Sequence, residues 1–248
     1  MHRGKVFLVG LGPGPLDEIT PRAIDRLSKA EVVIGHRNYL ESIKKYTTSK
    51  QVISGEMTPV ERSELAVKTA LEGKDVALVS IGDPGIFAIA STFFNYIAKY
   101  KISIAVEIVS GITMTNSAAA LLGSPIGNDF AVISLSDRAR PWNMIKKRLE
   151  SAARSDFVIV IYNPIGKVGI RRLKEAINIL MKYRKDATPV GVVSEIDGKE
   201  NSVEILTLNN LLKHKINENS TLVIGNSESY VFREWIITPR NYKEGVGY

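Results

Sequence analysis

The chain has 248 residues, 44% of them hydrophobic and 24% charged, which is enough to bury the core of one large domain or of two α/β domains of ordinary size. It contains no cysteine, which excludes disulfides, thiolate metal sites and thiol nucleophiles and favours an intracellular protein. The formal net charge of +7 favours an anionic partner, and no signal-peptide pattern or apolar run of ~20 residues occurs, so we expect a soluble, cytoplasmic protein without a membrane partner.

Apolar β-branched runs alternate with helical patterns along nearly the whole chain, which predicts an α/β fold with parallel sheets built from βαβ units. Helices are predicted from Thr20 and Thr58, because each is an N-cap residue followed by proline at the first helical position. Turn residues cluster at 121–129, where we predict a boundary between an N-terminal α/β domain, residues 1–122, and a C-terminal α/β domain, residues 123–248, whose sheet is more antiparallel or mixed. The predicted strands are residues 6–9, 32–34, 76–80, 105–109, 131–135, 157–162, 190–194, 203–207 and 222–224.

Basic residues are densest at 146–149, 171–174 and 182–185, and each group lies in an amphipathic pattern that is typical of a solvated helix face. No zinc-finger spacing or RNA-binding aromatic strand accompanies them, so nucleic-acid binding is a weaker alternative, motivated by the basic charge alone. The three histidines lie far apart and form no i, i+3 or i, i+4 pair, so we predict no metal site in the protein.

The sequence GLGPGP at residues 10–15 follows the first predicted strand, as the glycine-rich turn of a dinucleotide-binding fold does. Its prolines lack the N–H groups that hold a pyrophosphate, and the next helix starts only near Thr20, so phosphate binding is disfavoured. Glu31 precedes the second strand rather than ending it, so we interpret it as a solvated turn residue and not as a ribose ligand. A dehydrogenase remains an alternative that tight NAD binding would support. We interpret the loop as a stiff turn with bare backbone, suited to a flat or bulky ligand.

Four further segments place turn residues at predicted strand ends: SIGDPGIFAIA at 80–90, IVSGITMTNSAAA at 108–120, ISLSDRARPW at 133–142 and VIVIYNPIGK at 158–167. Such strand ends are where α/β proteins bind ligands, although each turn taken alone also fits a structural role. Together with GNS at 225–227 and ITPRNY at 237–242, and in this order, these motifs resemble the tetrapyrrole methylases, specifically the precorrin-3B or cobalt-precorrin-3 C17-methyltransferases of cobalamin biosynthesis. The resemblance covers essentially the whole chain.

The resemblance implies a class III, tetrapyrrole methylase-like fold, usually a homodimer, in which a cleft between two α/β domains binds S-adenosylmethionine and releases S-adenosylhomocysteine. It implies that the N-terminal domain forms the tetrapyrrole trough and part of the cofactor pocket, and that the C-terminal domain forms the rest. Asp83 is the implied catalytic residue. The implied cofactor-binding residues are Gly82, Asp83, Ile86, Thr113, Met114, Tyr162, Asn163, Val192, Thr238 and Pro239. The implied substrate-binding residues are Gly10, Gly12, Pro13, Gly14, Ser136, Asp137 and Lys167.

The implied reaction is methylation of C17 of an anionic corrin precursor with contraction of the ring, and any cobalt would arrive inside the substrate. Alternatives within the family are a uroporphyrinogen-III methylase, another precorrin C-methyltransferase, or the relatives that methylate diphthamide or ribosomal RNA. The sequence departs from the family pattern at Ser110, where proline is usual, and at Asn128, where histidine is common. The second departure puts in doubt an acid/base role at position 128.

Overall fold

The computed structural model describes residues 3–14, 16–48, 50–166, 169–196 and 200–241. For five of these residues it describes the backbone only: Leu16, Glu195, Ile196, Glu200 and Asn201. The chain divides into two compact units, Met1–Met114 and Thr115–Tyr248. The division falls at the first residue of a helix, whereas the predicted boundary after residue 122 falls at the end of the same helix. The predicted domain limits therefore stay a prediction.

The first unit is built on one parallel sheet in the strand order β3-β2-β4-β1-β5. The strands are β1 (Lys5–Gly10), β2 (Val32–Gly35), β3 (Gln51–Ser54), β4 (Val76–Ser80) and β5 (Ala105–Val109). The helices are α1 (Pro21–Lys29), α2 (Arg37–Ser42), α3 (Lys44–Thr47), α4 (Pro59–Leu71), α5 (Ile89–Lys99) and the start of α6 (Met114–Leu122), with a short 3-10 helix at Leu16–Glu18. Two apolar clusters, one on each face of the sheet, bury β4 completely and β1 from its second residue onward.

The helix starts of this unit follow from the residues that precede them. The Thr20 hydroxyl accepts the N–H of Ala23 at 3.2 Å, directly before α1. At α4, Thr58 and Glu61 form a capping box in which each side chain accepts the other residue's backbone N–H. Both predicted helix starts are confirmed. Glu31 is exposed in the turn before β2, as expected, and its carboxylate accepts the N–H of Asp75 at 2.9 Å.

The second unit contains a mixed five-stranded sheet in the order β10-β9-β11-β8-β7, in which only the β7–β8 pair is parallel. Its strands are β7 (Phe130–Ser134), β8 (Val158–Tyr162), β9 (Pro189–Ile196), β10 (Glu200–Thr207) and β11 (Thr221–Ile224). Three shorter strands, β6 (Gly123–Ser124), β12 (Tyr230–Phe232) and β13 (Trp235–Ile237), form a separate sheet. The helices are α6, α7 (Trp142–Arg154) and α8 (Arg171–Leu180), with a 3-10 helix at Leu208–Lys213. The predicted mixed character of this half is confirmed.

The apolar core of the second unit lies on both faces of the mixed sheet. One cluster joins the sheet to α7 and α8, and the other joins its opposite face to α6 and β13. Because β7 and β8 are parallel, their carboxyl ends meet at one edge, where the antiparallel β11 begins. Within the described residues, no helix is long and apolar enough to cross a membrane.

Candidate functional site

Three of the glycine turns named above meet at the carboxyl edge of the first unit's sheet, because β4, β1 and β5 are adjacent and parallel. The N–H of Gly82 donates to the carbonyl of Gly12 at 2.7 Å, and the N–H of Gly12 donates back to Gly82 at 3.3 Å. The N–H of Leu11 also donates to the carbonyl of Ser80 at 2.9 Å. The GLGPG and GDPG motifs are therefore joined into one rigid element.

The glycines are required here because the three turns touch backbone to backbone. A Cβ on Gly10 would lie 2.6 Å from the carbonyl oxygen of Gly82, and a Cβ on Gly111 would lie 2.2 Å from the same oxygen. Both distances are shorter than any normal contact between non-bonded atoms. The atom that a Cβ would meet belongs to the backbone, so it cannot move aside as the end of a flexible side chain could. Gly12 and Gly82 also have φ of +78° and +66°, which favours glycine. We call Gly10, Gly12, Gly82 and Gly111 the glycine knot.

Asp83 ties the second turn of the glycine knot to the third. Its Oδ1 accepts the N–H of Gly85 at 2.8 Å, and its Oδ2 accepts the N–H of Gly111 at 3.2 Å. A carboxylate oxygen can accept two hydrogen bonds, so each oxygen retains capacity for one more donor. Next to this turn, the hydroxyl of Ser80 is buried and has no hydrogen-bond partner among the described residues. The Asp83 carboxylate and the Ser80 hydroxyl can therefore form further hydrogen bonds at this rigid edge of the sheet.

The opening loop itself is mostly covered. Gly10, Gly12 and Pro13 are buried and Gly14 is half-buried, while Thr113 and Met114 are half-buried just beyond β5. The apolar surface at this edge comes instead from the residues that follow GDPG, since Ile86 is 44% exposed and Phe87 is 61% exposed. Contact of the buried loop residues with a substrate stays a prediction.

In the second unit, the tyrosine of the YNP motif is held by the start of α6. The Tyr162 hydroxyl accepts the N–H of Thr115 at 2.7 Å and shares a second hydrogen bond of 2.7 Å with the Thr115 hydroxyl. Asn163 follows with φ of +51°, and its amide donates to the hydroxyl of Ser134 at 2.9 Å. The end of β8 is therefore fixed by side chains from α6 and β7.

The structure brings Ser136, Asp137 and Asn163 together around one depression of about 220 Å³ at the carboxyl edge of β7 and β8. Asp137 pairs with Arg172 at 2.8 Å, and this pairing lowers the pKa of the Asp137 carboxyl. The Arg172 guanidinium lies 4.4 Å from the centre of the Trp142 ring. Asp137 is thus held as a carboxylate and is poorly suited to act as an acid. Lys167 lies outside the described residues.

The other cofactor-binding predictions in the second unit fall on residues that already serve the fold. Val192 is buried and packs in the core with α7 and α8. The Thr238 hydroxyl is buried and donates to the carbonyl of Pro125 at 2.7 Å, while Pro239 beside it is half-buried. Contact with a cofactor at these positions stays a prediction.

One organising residue was missed by the sequence analysis. Arg184 belongs to the basic group at 182–185 that was predicted as a solvated helix face, and for this residue the prediction is wrong because Arg184 is buried. Helix α8 ends at Leu180, so the helical pattern no longer decides which way the side chain points. The Arg184 guanidinium donates to the carbonyls of Ala153, Phe157 and Gly225 and lies 3.0 Å from Asp156, and its burial lowers its pKa. A lone arginine past a helix end gives no local signal of this role.

These bonds connect the GNS and TPR motifs. Arg184 holds the carbonyl of Gly225, and the Asp156 carboxylate accepts both the N–H and the hydroxyl of Ser227. The hydroxyl of Ser229 then bonds the hydroxyl of Thr238 at 2.7 Å. Among the described residues, no group of three or more histidine, aspartate or glutamate side chains could hold a metal ion.

Comparison with known proteins gives one family and close relatives within it. Residues 5–212 match the family described as Tetrapyrrole (Corrin/Porphyrin) Methylases. A Salmonella typhimurium protein named probable cobalt-factor III C(17)-methyltransferase is 37% identical over 236 residues, which are 95% of this chain and 98% of that protein. A Priestia megaterium protein named cobalt-factor III methyltransferase is 39% identical over 246 residues, which are 97% of this chain. The chain spans about half of that relative's length, 46%.

Solved structures agree with this fold. A crystal structure of the methyltransferase CobJ has a TM-score of 0.90 and 29% identity, covering 95% of this chain and 100% of that one. Uroporphyrin-III C-methyl transferase from Thermus thermophilus, complexed with S-adenosylhomocysteine, has a TM-score of 0.70 and 22% identity, covering 90% and 97% of the two chains. At that identity the second likeness shows the fold alone.

Proposed function

The chain belongs to the tetrapyrrole (corrin/porphyrin) methylases, and from that premise we propose that it methylates C17 of cobalt-precorrin-3 or precorrin-3B, with ring contraction, using S-adenosylmethionine. The observation that carries this assignment is the 37% identity to a protein named as a C(17)-methyltransferase over 98% of that protein's length. The glycine knot supports it, because it assembles the first three motifs of the resemblance at one sheet edge. The net charge of +7 suits a ring with a rim of carboxylates.

The residues at the first unit's sheet edge fit the methionine end of S-adenosylmethionine, which supplies an electrophilic methyl group on sulfur. The Asp83 carboxylate retains capacity for a donor such as an ammonium group, and the buried Ser80 hydroxyl is without a partner in the described part of the chain. Methyl transfer to an electron-rich carbon is an in-line displacement, and alignment of the two reactants supplies much of its acceleration. We therefore assign the glycine knot a positioning role.

Ring contraction also requires proton movement, and the implied substrate-binding residues include a second carboxylate, Asp137, that could assist it beside Asp83. Asp137 is paired with Arg172, which lowers its pKa and keeps it ionised. It is an unsuitable general acid in that state. Asp83 therefore remains our proposal for a carboxylate at the reacting centre.

The alternative within the family is a uroporphyrinogen-III methylase or another precorrin C-methyltransferase. The likeness to the Thermus uroporphyrin-III enzyme supports only a shared fold, whereas three relatives at 37–41% identity are named for cobalt-factor III. We therefore rank the C17 reaction first.

The test is anaerobic incubation with S-adenosylmethionine and cobalt-precorrin-3, with precorrin-3B in a parallel reaction, followed by mass spectrometry of the ring. Gain of one methyl group by either ring is expected. Failure with both would overturn the proposal, and methylation of uroporphyrinogen III in their place would establish the alternative.

Asp83→Ala provides the matching test of the site. We expect weaker S-adenosylmethionine binding by calorimetry and a folded protein by circular dichroism, because the two backbone bonds between Gly12 and Gly82 do not depend on the Asp83 side chain. Unchanged affinity would remove Asp83 from the site. Salt-dependent binding of generic RNA without any S-adenosylmethionine binding would overturn the enzyme proposal as a whole.

We also propose that the protein is a cytoplasmic homodimer, and the second unit offers a face for the contact. Tyr230, Phe232 and Trp235 share one face of the β12–β13 hairpin, and each is at least 40% exposed. Strand β12 is the edge of its sheet, so its outer backbone groups lack a strand partner in the described structure. The hairpin tip carries one positive residue and one negative residue side by side, Arg233 and Glu234. Such a surface is self-complementary, because a two-fold axis can place the positive residue of each copy opposite the negative residue of the other.

A further inference from the structure

Phe87 combines two unusual features in the turn that links β4 to α5. Among the large hydrophobic side chains of the described residues it is the most exposed, at 61%. Its backbone is also left-handed, with φ of +52°. Five other non-glycine residues in the described ranges have positive φ, and all of them are polar or charged.

A left-handed backbone is unfavourable for phenylalanine, because its Cβ crowds the adjacent carbonyl group. Glycine or asparagine would adopt this conformation at lower cost, and burial in a core does not compensate for the strain because the ring is largely in water. Backbone strain of this kind concentrates at ligand-contacting sites. The combination points to a function for the ring itself.

The turn that carries Phe87 is rigid and lies at the site. Gly82 is bonded to Gly12 in both directions, the N–H of Ile86 donates to the carbonyl of Asp83 at 3.2 Å, and the N–H of Ala90 donates to the carbonyl of Pro84 at 2.9 Å. The ring is therefore presented from a fixed support, beside the partly exposed Ile86 and on the same sheet edge as the opening loop.

We propose that Phe87 is the stacking platform for the flat face of the tetrapyrrole and determines the preference for a macrocyclic substrate, an inference that rests on the proposed function. An exposed aromatic ring on a rigid turn gains most from a large, flat, unsaturated ligand, because both faces are apolar and little conformational freedom is lost. The backbone strain is explained in the same way, since it holds the ring out from the turn before the substrate arrives.

The experiment compares Phe87→Leu, which removes the flat ring but keeps an apolar side chain, with Phe87→Tyr, which keeps the ring. Tyr100→Leu is the matched control, because Tyr100 is an aromatic residue of the same unit that is 55% exposed and lies at the far end of α5. Each variant is assayed for methylation of cobalt-precorrin-3, for S-adenosylmethionine affinity by calorimetry, and for binding of uroporphyrin III by the shift of its absorption band.

Phe87→Leu is expected to raise KM for the ring and Kd for uroporphyrin III about tenfold, with kcat and S-adenosylmethionine affinity within about twofold of wild type. Phe87→Tyr and the control are expected to match wild type. Phe87→Asn, which suits a left-handed backbone, should lose ring affinity as well but keep or raise the unfolding temperature. This opposite response of affinity and stability distinguishes a binding role from a structural one.

The outcomes separate this inference from the proposed function. If wild type and Phe87→Leu methylate the ring equally well, the inference is overturned and the proposed function stands. The same conclusion follows if Tyr100→Leu loses as much ring affinity as Phe87→Leu. If wild type binds uroporphyrin III but methylates no ring, the proposed function is overturned. In that case, a loss of ring affinity in Phe87→Leu and Phe87→Asn alone would still support Phe87 as the stacking platform. Wild type that neither binds nor methylates a tetrapyrrole overturns both.

Discussion

Replacing Gly111 with alanine adds one methyl group to the glycine knot, and the structure sets the size of the effect. The new Cβ would lie 2.2 Å from the carbonyl oxygen of Gly82 and 2.9 Å from the carbonyl carbon of Gly10. To relieve these two contacts, the backbone of the turns must shift by about 1 Å. Parallel strands and hydrogen bonds hold that backbone on both sides. We expect a loss of about 2–3 kcal/mol in the free energy of unfolding of the first unit, the upper part of the range for overpacking.

Two other alanine substitutions in the same unit calibrate this value. Gly82→Ala has room for the methyl group but keeps φ of +66°, so it should cost roughly 1 kcal/mol. Gly55→Ala meets only ordinary contacts at 3.9 Å and should be close to neutral. The expected order of destabilisation is Gly111, then Gly82, then Gly55.

The assay must report on the first unit. Both tryptophans, Trp142 and Trp235, belong to the second unit, so tryptophan fluorescence follows the wrong half of the chain. Urea unfolding followed by circular dichroism, with hydrogen exchange of the β1 and β4 amides, measures the right one. A Gly111→Ala protein as stable as Gly55→Ala would refute the contact between the three turns.

Three further predictions test other parts of the structure. Hydrogen bonds from Lys5 and two arginines lower the pKa of Glu107 to about 2 from 4.5, so its stabilisation is present above pH ~4.5 and lost as pH falls toward 2. Glu107→Gln should therefore lose on the order of 1–2 kcal/mol at pH 7, after allowance for solvent screening, and equal wild type near pH 2 in urea titrations. Tyr162→Phe removes the acceptor of a 2.7 Å bond from α6 and should weaken S-adenosylmethionine binding about fivefold by calorimetry, and unchanged affinity would exclude Tyr162 from the site. Phe232→Arg should dissociate the proposed dimer, as measured by sedimentation velocity. The control is Phe94→Arg, which should not dissociate it, because Phe94 is an exposed aromatic residue of the first unit. A dimer that survives Phe232→Arg would exclude the hairpin face as its interface.

The sequence was sufficient to predict most of the fold because its signals are local. Alternating apolar runs identified the central strands, and the capping threonines identified α1 and α4. Strand β3 was missed because it is an edge strand whose residues are largely exposed, so it has no apolar pattern to detect. The short strands β6, β12 and β13 were missed because they depend on pairing between residues more than 100 positions apart or on an exposed hairpin.

The site was predicted unevenly for the same physical reason. Motifs at strand ends could be placed together, since the topology of a parallel sheet brings its carboxyl ends to one edge. Whether a side chain there is already engaged could not be predicted, because the partner comes from a distant part of the chain. The hydrogen bond that the N–H of Thr115 donates to Tyr162 and the ion pair of Asp137 with Arg172 are of this kind. The buried Arg184 is the extreme case, because its acceptors are carbonyl groups that sequence cannot identify.

This engagement decides how the proposed site should be probed. Asp83, Tyr162 and Thr238 each bond backbone groups of their own unit, so truncating any of them to alanine removes a fold contact along with any ligand contact. A loss of activity in such a variant would not by itself separate binding from structure. Substitutions that keep the shape remove less of the fold. Thr238→Ser keeps the hydroxyl that donates to Pro125, and Asp83→Asn keeps one of the two oxygens that accept backbone N–H groups while it removes the charge. If cofactor affinity falls in these variants while the unfolding free energy stays within about 0.5 kcal/mol of wild type, the side chain contacts the ligand; if both fall together, its role is to hold the turn.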